Sequence, residues 1–388
     1  MTRRVRILQV ITAFSDDAPA QSATVLAKYL DRSRFDVRAV SLRRLTGAPS
    51  MTVAELARAG IPHESMQMGG FLDLTAVARL VRLMRRWRPD VVHSHAFRAD
   101  VWCGLAGHIA GVPLIVNTIR NHDSQLFKME YSFVVGRLAT VASWMALRLA
   151  DAVVAVSGGV ADYLAVERRV PTEKIHVIRN GFDFERLVGH ADGRAAVRAE
   201  FGWRDEDTVV GALAMLKARK GLSYLIQAAH QVVSASARVH FFIAGQGPDR
   251  TALEAEIARL GLQDRVHLLG QRGDALSLLE AADIFVLPSL FEGLPRSLLE
   301  AMALAKPVVV TDIGGSREVV RHRETGLIVD PRDASGLAGA IGRLIDSLAL
   351  RQEYGEAGRR SVQERFDARR TAEAHEAVYS QPVRRPNR

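Results

Sequence analysis

The sequence contains a single cysteine, Cys103, and few aromatic residues, which make up 6% of the chain. One cysteine cannot form an internal disulfide, so no disulfide framework is expected and a reducing compartment is allowed. The arginine clusters carry no interleaved aromatic pattern of the kind that stacks on nucleic-acid bases. We therefore expect no nucleic-acid partner.

The sequence also lacks an uncharged apolar run of about 18 residues, the length that spans a membrane. Residues 131–150 come nearest, with Arg137 and Arg148 as their only charges. Two alternatives stay open for this segment: a core helix with its apolar side against a sheet, or an amphipathic element lying in a membrane interface. The N-terminal apolar stretch is short and lacks a small-residue cleavage site, so no signal peptide is expected. We expect a cytoplasmic protein, which under the second alternative binds the inner face of the membrane peripherally.

Acidic residues are fewer than basic ones, 43 against 52, which leaves a net charge of +9. A basic balance favours anionic partners such as phosphorylated substrates or acidic lipid. A chain of 388 residues exceeds the size at which one hydrophobic core usually stops growing, so two domains are expected.

Short apolar runs alternate with helix-like segments along the first half of the chain, and the alternation restarts after the polar segment "FGWRDEDT", residues 201–208. Such alternation is typical of a doubly wound parallel sheet. The sequence therefore predicts two α/β domains joined near residues 182–192. A cleft between them is the expected ligand site.

Two glutamates, Glu292 and Glu300, lie with seven residues between them in the otherwise apolar stretch "PSLFEGLPRSLLEAMA", residues 288–303. On one helix they would differ by about 80° and would not share a face. Pro295 instead predicts a helix start, with Glu292 on the loop after a buried strand and Glu300 inside the helix. Loops at the carboxyl ends of parallel strands bind ligands, and the N–H of Gly293 near a helix N-terminus can accept an anion. A solvated helix face is the alternative.

Two further loops follow predicted strands in the same half. "KARKG", residues 217–221, combines three cations with a glycine and is a candidate diphosphate clamp, with a solvated turn as the alternative. The paired glycines Gly314 and Gly315 precede another helix. Three such loops together favour a phosphate-rich ligand.

Other clusters favour structural interpretations. "GQGPDR" begins like a dinucleotide fingerprint, but Arg250 stands where the third glycine belongs, so we expect a strand-to-helix turn. Asp205 and Asp207 lie in a predicted connection, and solvated turns of this kind rarely bind metal. His93 and His95 share one face of a strand without an evident third ligand, which favours hydrogen-bonded histidines over a zinc site.

The stretch "PSLFEGLPRSLLEAMALAKPVVVTDIGGSREVV", residues 288–320, resembles the donor-site signature of the retaining glycosyltransferases of family 4, which have the two-domain GT-B fold. The glutamate pair with seven intervening residues is that family's hallmark. Weaker matches extend over nearly the whole chain: "RPDVVHSH", "DAVVAVSGGVADYL", "EKIHVIRNGFD", "FFIAGQGP", "VHLLGQRGD" and "GLIVDPRD".

The resemblance implies two Rossmann-like doubly wound domains facing across a cleft. Their expected bounds are 1–185 for the acceptor-side domain and 186–365 for the nucleotide-sugar donor domain. Residues 366–388 are expected to form a C-terminal helix that crosses back to the first domain and ends in a basic tail.

The resemblance also implies roles for individual residues. Glu300 would hold the ribose hydroxyls of a nucleotide sugar, Glu292 would face the transferred sugar, and Lys220 would grip the diphosphate. Glu292 and Lys220 are therefore the predicted catalytic residues. Further predicted donor-binding residues are Lys217, Arg219, Gly293, Leu294, Gly245 and Arg272.

Three positions depart from the family's pattern. Met215 stands where an arginine is common, and "FSDDAPAQS", residues 14–22, lacks the glycine pair that usually follows the first strand. The histidine expected after "PLIVNT" is replaced by Ile119 or Arg120, with His122 just beyond. Arg120 and His122 are the predicted acceptor-side residues.

The implied reaction moves a sugar from a UDP- or GDP-linked donor to a glycan or lipid-linked hydroxyl, with retained anomeric configuration, in cell-surface polysaccharide or glycolipid synthesis. Neither a cofactor nor a metal is expected, because fixed cations and N–H dipoles can stabilise the departing diphosphate. A nucleotide-sugar epimerase or hydrolase of the same fold, or a non-catalytic binding relative, is the alternative.

Overall fold

The computed structural model describes residues 3–45, 50–69, 73–124, 127, 131–187 and 193–381. The chain divides into two compact units. The N-terminal unit runs to Gly181 and takes in the segment that begins at Ala368, and the C-terminal unit is Phe182–Asp367. The domain boundaries predicted from the sequence were after residues 185 and 365.

The described part of the N-terminal unit contains one parallel sheet with the strand order β3-β2-β1-β4-β5-β6-β7. Its central strands are buried on both faces, which explains why they are continuous apolar runs. The strands are β1 Val5–Ala13, β2 Phe35–Arg43, β3 His63–Ser65, β4 Val91–Ser94, β5 Leu114–Ile119, β6 Ala152–Ala155 and β7 Ile175–Val177.

Helices cover this sheet. The N-terminus of α1 is capped by Asp17, whose side chain accepts from the backbone N–H of Ala20 at 3.1 Å. The last helix, α15, packs against α1 and adds Ala372, Val378 and Tyr379 to the core. The helices of this unit are α1 Ala18–Tyr29, α2 Met51–Arg58, α3 Leu74–Trp87, α4 Phe97–Ala110, α5 Phe133–Leu149, α6 Gly158–Val166 and, after the C-terminal unit, α15 Ala368–Tyr379.

The C-terminal unit repeats the arrangement with the order β10-β9-β8-β11-β12-β13, again parallel throughout its described strands. The expected pair of doubly wound Rossmann-like domains is therefore confirmed. The strands are β8 Thr208–Leu213, β9 Val239–Ala244, β10 Val266–Gly270, β11 Ile284–Leu287, β12 Val308–Thr311 and β13 Leu327–Val329.

Most helices of the C-terminal unit follow its strands, whereas the first, Gly193–Phe201, precedes β8. Pro295 is the N-cap of one of them, so this helix begins one residue later than the start that Pro295 suggested. The helices are α7 Gly193–Phe201, α8 Leu222–Ala235, α9 Arg250–Arg259, α10 Ala275–Ala281, α11 Arg296–Ala303, α12 Gly314–Arg317, α13 Ala334–Ile345 and α14 Leu348–Arg365.

Each sheet has a point at which the direction of winding reverses. In the C-terminal unit this point lies between β8 and β11, which pair through Ile284 and Val210. In the N-terminal unit it lies between β1 and β4. Loops that leave the carboxyl ends of such neighbouring strands diverge and open a crevice, which is where open α/β sheets bind ligands.

Candidate functional site

The loop after β8 carries the cations of "KARKG". Ala218–Lys220 forms a turn of 3₁₀ helix, and Gly221, at φ +62°, leads into α8. A Cβ on Gly221 would lie 2.1 Å from the carbonyl oxygen of Pro288. Glycine is therefore required there, both for the left-handed backbone and for the close approach of the two loops. This contact brings the cations to the loop after β11.

Glu292, on the loop after β11, is the centre of a largely buried ion-pair cluster. Its carboxylate binds Lys220 Nζ, accepts from Ser289 Oγ at 2.8 Å and lies 3.6 Å from an Arg219 guanidinium nitrogen. The Glu292 side chain is only 8% exposed. A backbone bond from Leu290 N to Arg219 O, at 2.8 Å, ties the two loops together. The structure thus joins two sequence motifs that lie about 70 residues apart.

The electrostatics of the cluster keep Glu292 ionised. Burial alone would raise the pKa of Glu292, but Lys220, Arg219 and the Ser289 hydrogen bond together lower it below its usual value. Burial lowers the pKa of Lys220, and the charge of Glu292 opposes that effect. With two cations around one carboxylate, the cluster carries a net positive charge and can attract an anionic ligand.

Glu300 lies inside α11 and has a different partner. It is 9% exposed and accepts from Arg296 Nε at 2.9 Å, one turn earlier in the same helix. The alternative of a solvated helix face is therefore wrong for Glu300. The Arg296 partner was missed, although its i,i+4 spacing from Glu300 could have suggested it.

Glycines bring the other strand-end loops against these two. A Cβ on Gly315 would lie 2.6 Å from the carbonyl oxygen of Gly293. A Cβ on Gly245 would lie 1.9 Å from the carbonyl oxygen of Ala214. "GQGPDR" is indeed the predicted strand-to-helix turn, and its first glycine is explained by this packing.

The remaining predicted donor-side residues lie outside the ion-pair cluster. Arg272 follows β10 and binds Glu200 and Asp274, with distances of 2.6–2.9 Å. The hydrogen bond to Glu200 and, to a smaller extent, the one to Asp274 raise the pKa of Arg272. Leu294 is buried, whereas Lys217 is partly buried. Their donor roles stay predictions.

The predicted acceptor-side residues of the N-terminal unit, Arg120 and His122, each have partners within that unit. Ile119 is the buried last residue of β5, so Arg120 supplies the first side chain beyond the strand end. Arg120 donates to Asn180 Oδ1 at 2.8 Å. His122 stacks on Tyr163 with ring centroids 4.5 Å apart.

His93 and His95 belong to a buried histidine cluster. Their rings lie 4.0 Å apart, and His375, on α15, lies 5.5 Å from His93. His93 makes the predicted hydrogen bonds, to Thr118 Oγ1 at 2.6 Å and Tyr379 OH at 2.5 Å. His95, by contrast, has Arg120 at 3.4 Å from Nδ1 and no partner for Nε2 among the described residues. The third histidine was missed because nothing in the local sequence links α15 to β4.

Of the two carboxylates weighed as metal ligands, Asp205 is exposed and Asp207 has a structural partner. Asp207 accepts from the backbone N–H of Arg204 at 2.8 Å in the turn before β8. Within the described ranges, no group of three or more His, Cys, Asp or Glu side chains is arranged to hold a metal ion.

Comparisons with known proteins relate both units to one family. Residues 193–361 match "Glycosyl transferases group 1", and residues 20–186 match "Glycosyltransferase Family 4". The chain is 34% identical to alpha-maltose-1-phosphate synthase of Mycobacterium tuberculosis, over 75% of this chain and 79% of the relative. It is 26% identical to UDP-Gal:alpha-D-GlcNAc-diphosphoundecaprenol alpha-1,3-galactosyltransferase of Escherichia coli, over 72% of each chain. HepE of Anabaena, solved in complex with UDP-glucose, has a TM-score of 0.83 and 25% identity, over 97% of this chain and 100% of that one.

Proposed function

The chain belongs to the glycosyltransferases of group 1 and family 4, and from this membership we propose that it moves a sugar from a nucleoside diphosphate sugar to the hydroxyl of a glycan or lipid-linked acceptor, with retention of anomeric configuration. The observation that carries the proposal is the cluster of Arg219, Lys220 and Glu292 where the winding of the second sheet reverses. We propose that the product enters cell-surface polysaccharide or glycolipid synthesis.

In this proposal Lys220 and Arg219 bind the diphosphate. Negative charge accumulates on the leaving diphosphate as the glycosidic bond breaks, so cations held there stabilise the transition state more than the ground state. Glu292 already holds Lys220 in place, and the contact of Gly221 with the β11 loop limits the movement of the turn. Such preorganisation avoids the cost of orienting the cations during the reaction.

Glu292 also acts on the sugar. Its carboxylate is ionised, and a transferring glycosyl group develops positive charge at the anomeric carbon. The ionised carboxylate can stabilise that charge or orient the sugar hydroxyls. We do not assign it the role of a covalent nucleophile.

Glu300 is proposed to bind the ribose of the donor, and UDP is the donor nucleotide that we would test first. The Escherichia coli relative is named for its use of a UDP-linked sugar, and HepE was solved with UDP-glucose. Arg296 holds one carboxylate oxygen of Glu300, which leaves the other oxygen for a ribose hydroxyl.

The acceptor is proposed to be lipid-linked, handled by the N-terminal unit with Arg120 and His122. The Escherichia coli relative acts, by its name, on a diphosphoundecaprenol-linked sugar. A protein that uses such an acceptor works at a membrane surface. The helices among the described residues include none long and apolar enough to cross a bilayer, so peripheral binding is the form we propose.

Donor binding is tested by isothermal titration with UDP. Glu300→Gln should weaken UDP binding by about 1–3 kcal/mol, because a charged hydrogen bond to ribose is lost. Glu254→Gln is the matched control, since Arg250 and Glu254 form the same kind of i,i+4 pair on α9. Unchanged UDP affinity in a folded Glu300→Gln protein would overturn the ribose assignment.

Transfer itself is tested with UDP-glucose, UDP-galactose, UDP-N-acetylglucosamine and GDP-mannose against a diphosphoundecaprenol-linked sugar, with the product's anomeric configuration read by NMR. An inverted product would contradict the retaining mechanism. Activity should persist in EDTA, since we propose a reaction without metal. Loss of turnover in EDTA that magnesium or manganese restores would overturn this part and return attention to Asp205 and Asp207.

A further inference from the structure

Helix α5 exposes most of its large side chains, and apart from Leu147 the residues that it buries are small. Gly136, Ala139, Ser143 and Ala146 face inward at three- and four-residue spacing, and Gly104 of α4 packs closely on this side of the helix. A helix on the surface of a globular protein normally does the opposite and buries its large apolar stripe. The large apolar side chains that α5 exposes are Phe133, Val134, Val135, Leu138, Val141, Trp144 and Met145.

These exposed side chains lie on the side of the helix opposite the buried small residues. At 3.6 residues per turn they fall within an arc of about 200°. Phe133 is 76% and Leu138 66% exposed. Of the two alternatives for residues 131–150, a core helix with its apolar side against the sheet is therefore wrong. A contiguous exposed apolar face of this kind marks an interaction surface, and we call these seven residues the α5 face.

The charges on the α5 face are positive, and the exposed Asp151 lies beyond the C-terminal end of the helix. Arg137 and Arg148 lie in the same arc, with guanidinium carbons 5.4 Å from the Phe133 ring centre and 4.9 Å from that of Trp144. Residues 131–150 contain no aspartate or glutamate. Helix α4 packs against α5, and Ile109 near its C-terminal end is exposed. A further arginine lies there, because Arg85 of α3 donates to the carbonyl oxygen of Ile109 at 3.3 Å.

We propose that the α5 face docks the protein on a membrane that contains anionic phospholipid. The inference rests on the proposed function in one respect, the lipid-linked acceptor. The apolar side chains would enter the interface, and Arg137 and Arg148 would reach lipid phosphates along their extended stems. Pairing with a second copy of the chain is disfavoured, because a symmetric contact would bring these arginines together without an acidic partner.

Flotation of the full chain with liposomes tests the docking. The wild-type protein should float with vesicles of phosphatidylcholine and phosphatidylglycerol at low salt, should float poorly with phosphatidylcholine alone, and should be released as salt rises. Leu138→Ser combined with Trp144→Ser should lower the bound fraction at least tenfold. Val166→Ser is the control, because Val166 is 75% exposed on another helix of the same unit. The double variant Arg137→Gln/Arg148→Gln should float equally with vesicles that contain or lack phosphatidylglycerol.

Tryptophan fluorescence gives a second readout, since Trp144 is 45% exposed whereas Trp87, Trp102 and Trp203 are buried. Anionic vesicles should shift the emission to the blue, and Trp144→Phe should abolish the shift while flotation continues. Flotation unaffected by Leu138→Ser/Trp144→Ser would overturn the proposal. The proposal would also be overturned if the wild-type protein did not bind vesicles but sedimented as a dimer, and these substitutions abolished the dimer.

UDP titration on the same preparations separates this inference from the proposed function. The α5-face variants should bind UDP as the wild type does. A wild-type protein that binds UDP but never floats would overturn the docking alone, and one that floats but binds no UDP would overturn the function alone.

Discussion

The two units wind their sheets in the same order, yet the groups near the reversal of winding differ. In the C-terminal unit the loops after β8 and β11 bring together a charged set, with Glu292 between Lys220 and Arg219. In the N-terminal unit, β4 carries His93 and leads to His95, and both histidines are buried and neutral. The fold therefore decides where the loops meet, and the loop residues decide which chemistry is available there.

The two clusters also satisfy their buried polar groups differently. Glu292 is stabilised as an ion by two cations and a hydroxyl. His93 instead has neutral hydrogen-bond partners, Thr118 and Tyr379, and burial lowers its pKa well below the usual value. A charged cluster with excess positive charge suits an anionic ligand, whereas the neutral cluster anchors α15 to the sheet.

The largest effect that would test this contrast is on catalysis. Lys220→Met should lower kcat by roughly 100- to 1000-fold, because one of the proposed charge-stabilising donors is removed. Lys174→Met is the control, since Lys174 Nζ donates only to the backbone oxygen of Ala150 in the other unit. Rates would be measured at saturating donor. A Lys220→Met enzyme within threefold of the wild type would remove Lys220 from the catalytic machinery.

The histidine cluster should make the N-terminal unit sensitive to acid. Burial lowers the pKa of His375 to about 4, and Arg120 and His176 add to the shift, while the bond to Thr371 O opposes it. A pKa depressed from 6.5 means stability that is present above pH 6.5 and lost as pH falls towards 4. For His375 the loss should be on the order of 3 kcal/mol.

Thermal unfolding between pH 7.5 and 4 measures this effect. His375→Gln should flatten the pH dependence, whereas His108→Gln, at an exposed position of α4, should leave it unchanged. Equal pH profiles for the wild type and His375→Gln would contradict the assignment.

A smaller effect concerns the close approach of the two loops in the C-terminal unit. Gly221→Ala places a Cβ against Pro288 O at a positive φ and should destabilise this unit by roughly 2 kcal/mol, with weaker UDP binding. Gly111→Ala in the N-terminal unit has a similar φ, +70°, but no atom within 4 Å, so it should cost only about 1 kcal/mol. Urea unfolding compares the two. Equal losses in the free energy of unfolding for the two variants would mean that backbone strain alone requires the glycine at position 221.

The smallest effect is expected at Arg272. Its ion pairs with Glu200 and Asp274 are partly exposed, so Arg272→Gln should change the free energy of unfolding by less than about 1 kcal/mol. UDP titration of this variant tests the donor role predicted from the sequence. A tenfold loss of UDP affinity would extend the charged cluster to β10, and an unchanged affinity would restrict it to the loops after β8 and β11.

Much of the C-terminal site could be predicted from the sequence. Strand periodicity, Pro295 and the glycines placed Lys220 and Glu292 on loops at strand ends, because these signals act over a few neighbouring residues. The resemblance to family 4 then assigned their roles. The doubly wound parallel sheets followed from the alternation of strand-like and helix-like segments, whereas the order of the strands came from the structure.

Tertiary structure alone decided the rest. His375 joins His93 across a sequence separation of 282 residues, and no local pattern reports such a contact. The pairing of Lys220 with Glu292 likewise depends on β8 and β11 becoming neighbours. For α5, the spacing of apolar residues was compatible with a buried or an exposed face, because periodicity says which side chains share a face but not what that face contacts. Close packing of Gly136 against the backbone of Phe127, and of Ala146 against Gly104 of α4, settled the choice, because it buries this side of α5 and leaves the opposite side exposed.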